Sequence, residues 1–256
     1  MHHIYCVKLK NIKAFLLLAL TITLLAININ GYVPASVYFG ASLRKVPIYY
    51  VNTKEQKVAI SFDAAWGADK TEKIMEICKE YNVNATFFLT GFWIEDYPEM
   101  VKKIDENGFE IGTHSSNHPD MTKLSKLQMK MELEDCCKLI TDITGKQVEL
   151  FRPPFGAYND TLIETATELN LTTIQWDVDS LDWKGLSAME ITNRIINGVR
   201  CGSIILCHNN SDHILDALPL VLDRLQKKGY TVTNIGDLII KGEYFIDNNG
   251  MQSARI

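Results

Sequence analysis

The stretch G112-T-H-S-S-N-H118 carries two histidines four residues apart, with Pro119 directly after them. On a helical turn that spacing brings His114 and His118 to one side, where two imidazoles can share a cation, and Pro119 would end the turn. The plain alternative is a pair of capping or surface histidines. L150-F-R-P-P-F-G156 sends Arg152 out of a strand into a Pro-Pro turn. Two prolines fix the backbone and leave following N–H groups, such as that of Phe155, free to face a ligand. Arg152 is then either an ion-pair partner for a carboxylate or a clamp on the loop. W176-D-V-D-S-L-D-W183 packs three carboxylates and two indoles into eight residues. Acids that close repel unless a cation or a hydrogen-bonded neighbour compensates, so the stretch reads as a site, with Ser180 or Asp182 as a helix cap on the bland view. I204-I-L-C-H208 ends an apolar run in the side chain best suited to proton transfer near neutrality. V58-A-I-S-F-D63 ends in one carboxylate followed by Ala64 and Ala65, open to three readings: a cap, a catalytic base or one leg of a metal site.

These residues need elements to position them. From residue 57 onward, short apolar runs alternate with amphipathic stretches. Strands are predicted at 57–62, 85–91, 109–114, 149–152, 172–177, 202–208 and 231–235, and helices at 69–81, 97–107, 125–144, 159–169, 187–199 and 213–228. Repeated β-α units argue for a parallel sheet covered by helices. Asp63, His114, Arg152, Asp177 and His208 all fall at predicted strand ends, which converge on one face if the sheet closes. The expectation is an α/β fold, a distorted (β/α) barrel of about seven parallel strands. Residues 44–54 read as a lead-in strand and 241–256 as a loose C-terminal tail.

At 256 residues and 46% hydrophobic, the chain can bury a full core in one large domain. Its net charge of -5, with no long Lys/Arg run beyond the first fifteen residues, excludes the footprint of a nucleic-acid binder. Lys8, Lys10 and Lys13 precede the apolar run from Ala14 to Ile27, the pattern of a signal peptide or a signal anchor. The run falls short of the roughly 20 residues of a comfortable span, and Val33-Pro34-Ala35 is a mediocre cleavage site, so both forms stay open, beside a buried core helix. The domain reading is 1–30 signal peptide or membrane anchor, 31–44 linker, 45–240 catalytic domain and 241–256 tail. Of six cysteines, none forms a C-x-x-C pair, which supports neither a thiolate metal site nor a disulfide framework.

Together these stretches resemble the polysaccharide deacetylases, metal-dependent enzymes that remove N-acetyl or O-acetyl groups from chitin, peptidoglycan and related polymers. The likeness runs from about Lys45 to Ile240 and takes in the family's five motifs in order, most strongly at H114-S-S-N-H-P, R152-P-P-F-G and D179-S-L-D-W. The lead-in R44-K-V-P-I-Y is similar to the sporulation-type members. The resemblance implies a hydrolase of carbon–nitrogen bonds other than peptide bonds, with cell-wall polysaccharide as substrate. It implies Asp63 as general base, Arg152 orienting it, His208 as acid tuned by Asp182, and the Phe155 N–H as an oxyanion donor. His114 and His118 become metal ligands, while Trp183 and Trp66 offer faces for sugar rings. The implied cofactor is a divalent cation, zinc first, with cobalt, manganese or nickel as alternatives.

One position departs from the pattern. The family's first motif reads Thr-Phe-Asp-Asp-Gly, whose second Asp joins the histidines on the metal, and here Ser61-Phe62-Asp63 is followed by Ala64. Three outcomes follow: a weaker site completed by water, a substitute carboxylate such as Asp69 or Asp177, or no metal and no turnover. The leading expectation is an exported N-deacetylase, membrane-anchored facing the cell wall or secreted. A glycan-binding protein that kept the fold and lost the chemistry is the alternative that Ala64 favours. An amidohydrolase of small amides is a third, against which the amino terminus speaks.

Overall fold

The computed structural model describes residues 9–29 and 44–255. The expected linker, 31–44, lies outside them except for Arg44, as do residues 1–8 and 30 of the expected signal segment. The chain divides into two compact units, Met1–Arg44 and Lys45–Ile256. In the first, Leu9–Ile29 is one helix whose described side chains, Ile12 to Leu25, are all exposed. Among the described residues, no helix is long and apolar enough to cross a membrane.

The described residues of the second unit form eleven strands: β1 (Tyr50–Val51), β2 (Lys57–Ala64), β3 (Thr86–Leu89), β4 (Glu110–Thr113), β5 (Leu150–Phe151), β6 (Thr172–Thr173), β7 (Val178–Asp179), β8 (Ile204–His208), β9 (Thr231–Thr233), β10 (Tyr244–Ile246) and β11 (Met251–Ala254). Seven are parallel in the order β6-β5-β4-β3-β2-β8-β7, with β9 pairing the first half of β2. Because β6 and β7 are the two ends of the single stretch 172–179, the sheet curls round and closes on itself. This is the expected distorted barrel. The predicted strand 172–177 is split because it must leave β5 and join β8 within a few residues. Ile48 of the lead-in fills the gap, donating to Thr173 O at 3.1 Å and accepting from Gln175 N at 2.8 Å.

Strand parity sorts the core. On β2, Val58, Ile60 and Phe62 pack outward with Ile74, Cys78 and Leu222 of the covering helices. Ala59, Ser61 and Asp63 face the other way; Ala59 joins Phe88, Leu150 and Ile204 in a plug inside the barrel. Each fully buried Ile or Phe contributes about 1.5–3 kcal/mol. The helices lie where their end signals fall. Helix Lys126–Thr144 starts at a Ser125/Gln128 capping box and stops at Gly145, whose φ of 70° suits a residue without Cβ. Helix Ala188–Gly198 opens on a second box, Ser187/Glu190. The predicted strand 85–91 is shorter than expected, since Gly91 already begins a helix, Gly91–Asp96. Among the described residues all five cysteines are free, and burial pushes the Cys78, Cys136 and Cys137 thiols up to about 12.

The expected loose tail is instead ordered. β10 and β11 form an antiparallel hairpin, and β11 pairs parallel with β1. Asp247 Oδ1 accepts from Asn249 N at 2.8 Å and Met251 N at 2.9 Å, which fixes the turn. Gln252 is fully buried, its amide bonded both ways to the Ile240 backbone at 2.9 and 3.0 Å.

Candidate active site

Parallel strands deliver their carboxyl ends to one side of the barrel, and the chemistry-bearing residues collect there. Asp63, at the end of β2, is 6% exposed. Its Oδ1 accepts from Arg152 Nη1 at 2.7 Å, and its Oδ2 lies 3.5 Å from His114 Nε2. Arg152 is fully buried, its guanidinium carbon 4.2 Å from the centre of the Phe88 ring. Its second nitrogen, Nη2, donates to Gln175 O at 3.5 Å. Burial alone would raise the Asp63 pKa, but neighbouring positive charge, that of the Arg152 guanidinium first, outweighs it and holds the carboxyl below its ordinary value. Asp63 is therefore ionised at neutral pH.

His114 Nδ1 lies 2.7 Å from Arg152 O. A carbonyl can only accept, so Nδ1 carries the proton and Nε2 of the neutral ring presents a lone pair toward Asp63. Burial lowers the His114 pKa, which keeps the ring neutral. Two acceptors 3.5 Å apart form a position that suits a cation or the protons of a water. His118 stands beside it, with ring centres 4.8 Å apart. Burial and the neighbouring His114 lower its pKa to about 4, leaving a second neutral imidazole. The histidines do not meet through the expected helical turn: Ser115 (φ 69°) and His118 (φ 52°) are left-handed, and Ser115 Oγ accepts from His118 N at 3.0 Å. Pro119 disfavours the right-handed helical region for the residue before it, which accounts for the difference.

The donor set suits a divalent cation as far as two imidazoles reach. Ala64 is fully buried and belongs to the outer apolar cluster, whereas Asp63 and Ala65 line the cavity. Among the described residues, no group of three His, Cys, Asp or Glu is arranged to hold a metal. Neither suggested substitute carboxylate is at hand. Asp69 is exposed and off the cavity wall. Asp177 is occupied near the start of β8, accepting from Ile204 N at 2.9 Å, Ser203 Oγ at 3.0 Å and Arg200 Nε at 3.2 Å.

His208 ends β8, in register with Asp63 on the neighbouring strand. Asp182 accepts from its Nδ1 at 2.7 Å and from its backbone N at 2.8 Å. Burial would lower the His208 pKa, but the hydrogen bond and charge of Asp182 outweigh it, so the ring holds its proton above the ordinary histidine value. A cavity of about 660 Å³ opens over both pairs. Trp66, Phe155 and Trp183 rim it, exposed by 66, 70 and 59%. Phe155 has a φ of 59°, and its ring centre lies 4.6 Å from that of His118. The nine residues to which the resemblance gives a role thus surround or support one cavity, whereas Asp177, expected at the same strand ends, does not.

Sequence reasoning passed over Gln175 and the run Asn209 to Asp212. Gln175 Nε2 donates to Gly156 O at 3.0 Å and so pins the turn that carries Phe155. Asn209 to Asp212 form one cavity wall, and a polar run straight after an apolar strand was the available signal.

Comparison with known proteins shows the family. A sequence model of the family described as polysaccharide deacetylase matches residues 50–174. The chain is 32% identical over 222 residues to the peptidoglycan-N-acetylmuramic acid deacetylase PdaA of Bacillus subtilis, covering 84% of each. It is 35% identical over 177 residues to the peptidoglycan-N-acetylglucosamine deacetylase of Bacillus cereus, covering 68% of this chain and 64%, under two thirds, of that relative. Wild-type BA3943 of Bacillus anthracis, described as a CE4 family pseudoenzyme, has a similar structure, with a TM-score of 0.74 at 32% identity over 77% of this chain and 69% of that one. A mutant of BA3943 with restored enzymatic activity also gives a TM-score of 0.74, at 34% identity over 77% and 72%. Identity and coverage at this level, joined to the barrel and its strand-end residues, make the chain a member of the polysaccharide deacetylase family.

Proposed function

We propose that the protein is a deacetylase that removes N-acetyl groups from cell-wall glycan. The observation that carries this reading is the pair of charged couples, buried Asp63 with Arg152 and half-buried His208 with buried Asp182, set in register on neighbouring strands under one aromatic-rimmed cavity. Asp63, ionised and oriented by Arg152, takes a proton from water as its oxygen attacks the acetamide carbonyl carbon. The Phe155 N–H faces the oxyanion that forms. His208, protonated, gives its proton to the sugar nitrogen as the C–N bond breaks, releasing acetate and a free amine. His114 and His118 would hold the divalent cation, zinc first, which when bound polarises the carbonyl and acidifies the attacking water. Trp183 and Trp66 offer faces for sugar rings.

Acetate release from acetylated chitooligosaccharide and peptidoglycan, measured with and without chelator and with Asp63→Asn, tests the reading. No release with any added divalent metal rejects it; release indifferent to chelator rejects the cation alone.

A second reading, glycan binding without turnover, is favoured by Ala64 and by the likeness to a pseudoenzyme. It expects saturable glycan binding and no acetate. Export completes the proposal. Its support is the basic flank Lys8, Lys10 and Lys13 before the apolar run, and the exposed Phe15, Leu17 and Leu25 of helix Leu9–Ile29. Cell fractionation with sequencing of the mature amino terminus separates a cleaved signal from a retained membrane anchor, and recovery in the cytoplasm rejects both.

A further inference from the structure

The segment 115–118, which joins the two histidines, passes through the left-handed region twice, at Ser115 and at His118. Neither is a glycine, and a residue followed by proline favours extended backbone, so His118 is held against its own preference. The hold comes from two helices. Helix Gly91–Asp96 grips the first half of the segment, where Gly91 N donates to Ser115 O at 3.0 Å and Phe92 N to Ser116 O at 3.2 Å. That approach needs a residue without Cβ, since a Cβ on Gly91 would lie 2.9 Å from Ser116 Cα.

Helix Lys126–Thr144 grips the second half through one half-buried residue, Glu132. Asn117 donates to both oxygens of its carboxylate, from the backbone N to Oε2 at 2.8 Å and from Nδ2 to Oε1 at 2.8 Å. Ser116 Oγ adds a bond to Glu132 O at 3.1 Å. Two charge-assisted bonds from one residue to one carboxylate fix direction as well as distance. With Asn117 pinned at its backbone and its side chain, and His118 N held on Ser115 Oγ at 3.0 Å, the next ring has its place set. Its centre lies 4.8 Å from that of His114, 4.6 Å from Phe155 and 5.3 Å from Trp66. Glu132 itself stands outside the cavity wall.

We propose that Glu132 is a positioning residue for His118: through Asn117 it keeps the ring beside His114, where the two imidazoles can share a cation. The inference rests on the reading that these histidines hold a divalent ion, and it extends that reading to a residue on a covering helix. Wild type, Glu132→Ala and Glu132→Gln, each as the full chain and well below its thermal midpoint, test it by two measurements. One is zinc affinity, by competition with a fluorescent chelator; the other, on metal-free protein, is the proton NMR cross-peak between the His118 and Phe155 rings. Glutamine can rebuild the clamp, because its Oε1 accepts from Asn117 N and its Nε2 donates to Asn117 Oδ1 once that amide turns over. Glu132→Ala should lose the cross-peak and about tenfold in zinc affinity, while Glu132→Gln keeps both. An alanine variant that retains the cross-peak or the wild-type affinity overturns the proposal. A glutamine variant as impaired as alanine also overturns it, since the charge of Glu132 and not its grip would then matter. A wild type that binds no zinc rejects the cation, and the cross-peak alone then decides whether Glu132 places His118.

Discussion

One carboxylate holds both the ring of His208 and the strand end from which it hangs: Asp182 accepts from His208 Nδ1 at 2.7 Å and from His208 N at 2.8 Å. The charge and geometry of His208 therefore depend on the same residue. Asp182→Asn should lower acetate release by about 100-fold or more and move the basic limb of its pH profile to lower pH. Steady-state rates across pH check this, and an unmoved basic limb would remove Asp182 from its tuning role.

The same couple sets a sign for stability. Because the folded-state pKa of His208 is raised above its ordinary 6.5, the stability it carries is complete below that value and is lost as pH rises through the folded-state value. Denaturant unfolding of wild type and Asp182→Asn should therefore differ most in mildly acidic buffer and converge on the alkaline side.

Asp63 behaves in the opposite sense. Its pKa lies below the ordinary 3.8, so its contribution is present above that value and is lost as pH falls through the folded-state value. Arg152→Ala leaves this carboxylate buried without its guanidinium and should destabilise the fold by about 3–5 kcal/mol at neutral pH, read by urea titration. A loss under about 1 kcal/mol would show that water replaces Arg152 with ease.

Ala64→Asp offers a third donor to His114 and His118. If altering a residue that only orients a ligand changes metal affinity by about 10–100-fold, a direct ligand should raise zinc affinity by at least as much. Competition with a fluorescent chelator measures it. Ala64 now packs in the outer apolar cluster, so the new carboxylate must turn toward the cavity, and unchanged affinity would show that it cannot.

Removal of 244–256 should cost stability. β1 loses its parallel partner, and Gln252 leaves its place on Ile240. Loss of about 2–4 kcal/mol is expected for two or three apolar side chains together with the ladder. Thermal unfolding of the shortened chain checks it, and an unchanged midpoint would return the segment to the status of a tail.

Most of the barrel was legible because its strands are short apolar runs separated by well-capped helices, as at Ser125 and Ser187. The strand-end residues were legible for the same reason, since parity and parallel direction fix where Asp63 and His208 point. Three features were hidden. Strands of three or four residues at 244–254 carry too little periodicity, although D247-N-N-G250 spelled the turn between them. The left-handed residues Ser115 and His118 give a pairing of imidazoles that helical spacing mimics. Gln175 acts through its backbone and a single amide bond, which no motif records.

The four residues Ile174 to Asp177 bond to three different neighbours, as Ile174 N donates to Phe151 O, Gln175 N to Ile48 O and Asp177 N to Ile204 O. They form the seam along which the barrel is zipped shut, and the same Gln175 that seals it holds Arg152 and the Phe155 turn. Any fluctuation that parts the seam also releases Arg152 and the Phe155 turn together. Sealing and arming are thus a single event, and amide exchange at Gln175 should report on both at once.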